Sequence, residues 1–177
     1  GPFPTSPVVR EVMDATYLHG DGTVYSKYNN TVFMADHRLH GMTGHGVGMW
    51  VVTPSNEYVN GGPLKQELTV HMDNVLLSTF QAGHFGSGAL DFRDGEAWMK
   101  VYGPFCVYLN TSPSMDAMHE DAKRRAAREM SEWPYAWAES TDYPVKRATV
   151  SGRLRLSNGK DARGAWVILA APGGEWP

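Results

Sequence analysis

The sequence predicts a mainly β protein, a β-sandwich carrying one helix. Three observations predict it. Apolar and polar residues alternate over short runs, the period-two mark of half-buried strands. Gly, Pro, Asn and Asp clusters break those runs at close spacing, as a sandwich requires. One stretch alone, "SMDAMHEDAKRRAAREMSEW", shifts to a spacing near four, the mark of an amphipathic helix.

Residues 1–14 carry three Pro and read as an extended N-terminal arm. The opening Gly1–Pro2, without a Met, reads as the remnant of a cleavage. In "GDGTVYSKYN" a turn at Gly20–Gly22 leads into a strand with Val24, Ser26 and Tyr28 on one face and Tyr25 and Lys27 on the other. "GVGMWVV" is a continuous apolar strand that "TPSN" stops. "LKQELTVHM" alternates, putting Leu64, Gln66, Leu68 and Val70 on one side, and "VLLSTFQAGH" is a further strand. "AWMKVYGPFCVYLN" reads as two strands broken at Gly103–Pro104, with Cys106 as a small core residue.

In the helix, expected over 116–132, the stripe is Met118, Ala122, Ala126, Met130 and Trp133. Ser114 or Asp116 can cap its start, and Pro134 stops it. Lys123, Arg124, Arg125 and Arg128 form its solvated face, offset by Glu120, Asp121, Glu129 and Glu132. Residues 15–145 therefore make one unit. From 146 to 177 the style changes, with a β-hairpin signalled by Asn158–Gly159 opening a second unit. One hairpin cannot bury a core. The chain thus reads as truncated, or as completed by strands from elsewhere.

Of 177 residues 42% are apolar and 20% charged, a globular balance. A net charge of −3 gives no field to draw nucleic acid or anionic lipid. One cysteine excludes an intrachain disulfide, and no apolar run is long enough to cross a bilayer as a helix. Six Trp and eight Tyr supply faces that suit sugar rings as well as a core. No G-x-S-x-G elbow is present to support a serine hydrolase. Asp91, Asp94 and Glu96 suit a glycosidase by residue type only, and their "RDG" is a turn signal. His37, His40 and His45 lack the spacing of a zinc site. Asn29–Asn30–Thr31 and Asn110–Thr111–Ser112 match the N-glycosylation pattern. By residue type alone, Lys27 is a surface lysine on a half-exposed strand and His84 a hydrogen-bonded core histidine.

Four motifs change that weighting: "TPSNEYVNGGPLKQELT", "GEAWMKVYGPFCVYLN", "HEDAKRRAAREMSEWPY" and "VSGRLRL". In this order they resemble the rhamnogalacturonan lyases of polysaccharide lyase family 4. The resemblance runs from about Gly20 to the end of the chain. It implies the last part of a mutarotase-like catalytic β-sandwich, followed by the opening strands of a fibronectin-III-like domain. It implies β-elimination in the rhamnogalacturonan I backbone of pectin, between rhamnose and galacturonate. A base takes the C5 proton, positive charge offsets the developing enolate, and an acid protonates the departing O4 oxygen.

By the resemblance, Lys27 in "YSKYNN" is the base and His84 in "AGHF" the acid. The family's upstream carboxylate-binding arginine has no match here. Lys65 in "GGPLKQELT", with Glu57 and Tyr58 in "SNEY", falls on the substrate side. Lys65 is also the rival candidate for the base. No organic cofactor is expected; a structural calcium ion is compatible with such a fold. The expected partners are pectic polysaccharide and the remainder of the same protein, and the expected location is extracellular. The competing reading is a noncatalytic carbohydrate-binding or structural piece of a lyase-like protein.

Overall fold

The computed structural model describes residues 4–57, 64–71, 75–78 and 93–169. They are mainly β with one helix, as the sequence predicts. Strands β1 (Val8–Met13), β2 (Thr16–His19) and β3 (Val24–Ser26) form an antiparallel meander. A 3₁₀ turn, Lys27–Asn30, leads into β4 (Thr31–Phe33). A second, Met34–Asp36, precedes β5 (Leu39–Gly44) and β6 (Val47–Val52). Then follow β7 (Gln66–Leu68), β8 (Val70–His71), β9 (Val75–Leu76), β10 (Cys106–Thr111) and helix α1 (Met115–Glu132). β4 pairs with β7 and β8 with β9, while β6 lies between β10 and β5. Residues 8–13, inside the stretch expected to be an arm, are thus a strand, although an exposed one along its whole length.

Helix α1 packs across one face of the β5–β6–β10 sheet, burying Met118 and Ala122 against Trp50. The Trp50 ring lies over two glycines. A methyl group at Gly41 would meet the ring and the Met49 carbonyl, and one at Gly48 would meet Asn110 Oδ1 and the indole nitrogen. Bare backbone is what lets so large a ring lie flat on the sheet. Asn110 then fixes sheet to helix. Its Oδ1 accepts from Trp50 Nε1 at 2.9 Å, and its Nδ2 donates to the Met118 carbonyl at 2.8 Å and to Asp121 at 3.0 Å. His119 stacks on Trp50 with ring centroids 5.6 Å apart.

The helix stripe differs from expectation at one place. Met118, Ala122, Ala126 and Glu129 are buried, and Met130 is exposed. Steps of four overrun a 3.6-residue turn, so a step of three must restore the face. Glu129 is held there by Arg125 at 2.6 Å and by the Tyr135 hydroxyl. Ser114 is the cap, its Oγ accepting from the Ala117 amide at 3.2 Å. The charged face is internally paired: Lys123 with Glu120, Arg124 with Asp121, and Arg128 with Glu132.

Cys106 is half-buried rather than in the core. It lies at the start of the helix-facing row of β10, and Arg125 Nη2 approaches its Sγ at 3.8 Å. The opposite face of the same sheet exposes Val47, Met49, Val107 and Leu109. Cross-strand register puts Leu109 beside Met49, so these side chains form one apolar surface. Beyond residue 145 the expected hairpin is only a turn. The Gly159 amide donates to the Leu156 carbonyl at 3.0 Å, yet no strand forms among the described residues there. Val150, Trp166, Val167 and Leu169 remain exposed, so nothing in this stretch buries the apolar face that would stabilise a ladder.

Candidate functional site

Lys27 sits where β3 gives way to the 3₁₀ turn. The sequence places it on a half-exposed strand; the structure buries it, leaving its side chain 3% exposed. The local chain explains the bend. Ser26 Oγ accepts from the Tyr28 amide at 3.3 Å and is 2.8 Å from Thr16 Oγ1, so it caps the turn instead of extending the strand. At the far end, the Asn30 carbonyl accepts from both the amide and the hydroxyl of Thr69, at 3.0 and 2.7 Å.

The β1–β2 hairpin turn grips Lys27 twice. The Lys27 amide donates to the Ala15 carbonyl at 3.1 Å, and its ammonium lies 2.8 Å from Asp14 Oδ2. The Tyr28 hydroxyl donates to the same carboxylate oxygen at 3.1 Å, and the Tyr28 ring centre is 5.2 Å from the ammonium. Ala15 adopts φ 46°, a left-handed conformation unusual for a residue with a side chain. Glu11 stabilises it by accepting from the Ala15 amide at 2.7 Å. The hydrogen bond and charge of Asp14 hold the Lys27 ammonium above the usual lysine range, although burial opposes them.

A second polar cluster lies under the β4–β7 pair. Lys65 and Glu67 form an ion pair with both side chains fully buried. Alternation sets Lys65 and Glu67 opposite the row of Leu64, Gln66, Leu68 and Val70, and the resemblance puts Lys65 on the substrate side. The structure buries Lys65 and Glu67, so the Lys65 ammonium meets protein, not solvent. Nearby, His37 Nε2 and His40 Nδ1 are 3.0 Å apart, and His40 Nε2 is 2.5 Å from the Leu77 carbonyl. A carbonyl only accepts, so His40 Nε2 carries the hydrogen. A neutral His40 therefore accepts at Nδ1 from His37 Nε2–H. Burial, with His40, Arg38 and Lys65 close by, depresses the His37 pKa to about 4, and burial depresses that of His40 as well. His40–Gly41 lies within β5.

Glu57 is exposed and pairs with Arg147 at 2.8 Å; Arg147 in turn covers the rings of Trp133 and Tyr143. Glu57, Lys100, Gly103, Asp142 and Tyr143 line an open groove of about 290 Å³. Lys100 was not singled out by the sequence, since nothing in "AWMKVY" marks it; partial burial lowers its pKa. Tyr58 and His84 lie outside the described residues, so the expected pairing of Lys27 with His84 has no geometry here. Among the described residues no group of three His, Cys, Asp or Glu converges to hold a metal ion. No helix among them is long and apolar enough to cross a membrane.

Fold and site together define a mainly β protein with a buried lysine held by a turn carboxylate. No family model matches the chain. Relatives do. It is 41% identical over 159 residues, 90% of this chain, to a rhamnogalacturonate lyase of Dickeya dadantii. It is 26% identical over 188 residues to the probable rhamnogalacturonate lyase C of Emericella nidulans, and 23% identical over 201 residues to that organism's rhamnogalacturonate lyase B. These alignments cover 90% and 97% of this chain. The chain is a homologue of the rhamnogalacturonate lyases, as its motifs predict. It spans 26% of the length of the bacterial relative, and 17% and 29% of the fungal two.

Proposed function

We propose that this chain is a segment of a secreted polysaccharide lyase that cleaves rhamnogalacturonan I by β-elimination. The observation that carries the reading is the 41% identity to a bacterial rhamnogalacturonate lyase along nine-tenths of the chain. In this reading Lys27 takes the C5 proton of galacturonate and His84 protonates the departing oxygen. The C5–H electron pair left behind forms the C4–C5 double bond, while the C4–O4 bond breaks and its pair goes with the oxygen that His84 protonates. Lys27 suits the task in placement, on a rigid junction bonded to two neighbouring elements. It does not yet suit it in charge, because the Asp14 pair keeps it protonated and a base must be neutral when it acts.

Burial makes Lys65 a support for the β4–β7 pair in this reading rather than a substrate ligand. Glu57 keeps a substrate-side place on the open groove. The exposed apolar face of β5–β6–β10 is where the remainder of the polypeptide packs, a role supported by the lengths of the relatives. The test is chemical. The longer polypeptide containing this chain, given rhamnogalacturonan I, yields products absorbing in the near ultraviolet, from a double bond conjugated with the carboxylate. Products with new reducing ends and no such absorbance would mean hydrolysis and end the reading.

A further inference from the structure

We propose that Asp14 is a positioning residue for Lys27: its carboxylate fixes the ammonium in the resting site and must release it before Lys27 can act. The proposal rests on the lyase reading for its catalytic half and on geometry for the rest. Asp14 Oδ2 lies 2.8 Å from Lys27 Nζ and accepts from the Tyr28 hydroxyl at 3.1 Å. The two partners differ sharply in exposure, at 65% for the Asp14 side chain and 3% for that of Lys27. The lysine is therefore built into the fold, and the carboxylate comes to it from the solvent side.

The turn carrying Asp14 is constrained to do this. Ala15 holds a left-handed conformation, Glu11 ties down its amide, and its carbonyl binds the Lys27 backbone. A strained non-glycine residue beside a candidate catalytic group is where such a constraint is commonly found. Among the described residues, Asp14 from the hairpin turn and Tyr28 from the 3₁₀ turn face Lys27, with Glu11 one hydrogen bond removed through Ala15.

The experiment has two arms. The first titrates the Lys27 side-chain Cε resonance by NMR in the longer polypeptide containing this chain, wild type against Asp14→Asn. The midpoint falls when the opposite charge is removed, and Asp14→Glu restores it. Asp14→Ser, another turn-compatible residue, is read in the same way should the Asn variant lose the native amide spectrum. An unchanged midpoint in the folded variant overturns the proposal. This arm needs no activity, so it stands apart from the lyase reading. The second arm follows the pH–rate profile of the longer polypeptide. The ascending limb moves to lower pH in Asp14→Asn, which a purely structural role would not produce. A lowered Lys27 midpoint with an unmoved profile overturns the catalytic half of the proposal and the choice of Lys27 as base with it.

Discussion

His37 Nε2 lies 3.0 Å from His40 Nδ1, and the pair ends on the Leu77 carbonyl, so two neutral imidazoles tie β5 to the end of β9. An unfolded histidine takes up a proton near pH 6.5, whereas the folded His37 resists until about pH 4. The unfolded state therefore binds more protons as pH falls from 6.5 to 4, and stability drops across that window. The effect is complete above pH 6.5 and fully lost below pH 4. For His37 alone it amounts to about 3 kcal/mol at most. Urea unfolding at pH 7 and pH 4.5 measures it. His37→Gln, which keeps a donor to His40, flattens the dependence; equal slopes in variant and wild type would contradict the assignment.

Lys65 and Glu67 pair with both side chains buried, so removing one takes the opposite charge from a buried partner. Lys65→Met or Glu67→Gln alone costs about 3–5 kcal/mol, and replacing both together costs less than the two single changes added. Denaturant midpoints of the three variants test it. Simple additivity would mean that the two side chains do not compensate each other.

Asn110 spends both amide hydrogens on α1 and its oxygen on Trp50. Expressed in a glycosylating host, the folded protein carries no glycan at Asn110, although Asn110–Thr111–Ser112 fits the pattern. Asn110→Ala leaves the Trp50 N–H and its other partners unsatisfied and costs about 1–3 kcal/mol. Mass spectrometry and thermal unfolding read these two outcomes. A glycan there on folded protein would contradict the packing of α1 on the sheet.

The helix was the most legible element because its signals are local: a serine cap, an apolar stripe, and basic residues offset by nearby acids. Its one error, Met130 for Glu129, came from extending a spacing of four past the true period. Lys65 and Glu67 were illegible for the opposite reason. A polar row on a strand signals solvent, and only the covering layers, which are not local, reverse that. Lys27 drew notice through the family motif. Its partner Asp14 did not, because the hairpin turn that brings it near is closed by a left-handed alanine that no residue type announces. The Asn158–Gly159 turn was readable and formed, but strands need a neighbour to bury against, and none lies beside it among the described residues.

The account turns on Lys27 as the base. In the longer polypeptide containing this chain, turnover of rhamnogalacturonan I is to be compared for wild type, Lys27→Ala and Lys65→Ala by the near-ultraviolet absorbance of the product. Lys27→Ala lowers kcat by about 10²–10⁴-fold, the usual worth of acid–base catalysis, with KM little changed. Lys65→Ala lowers stability, while the protein that remains folded keeps its kcat. Full turnover without Lys27, with Lys65→Ala inactive yet folded, would place the base on the wrong strand and contradict the account.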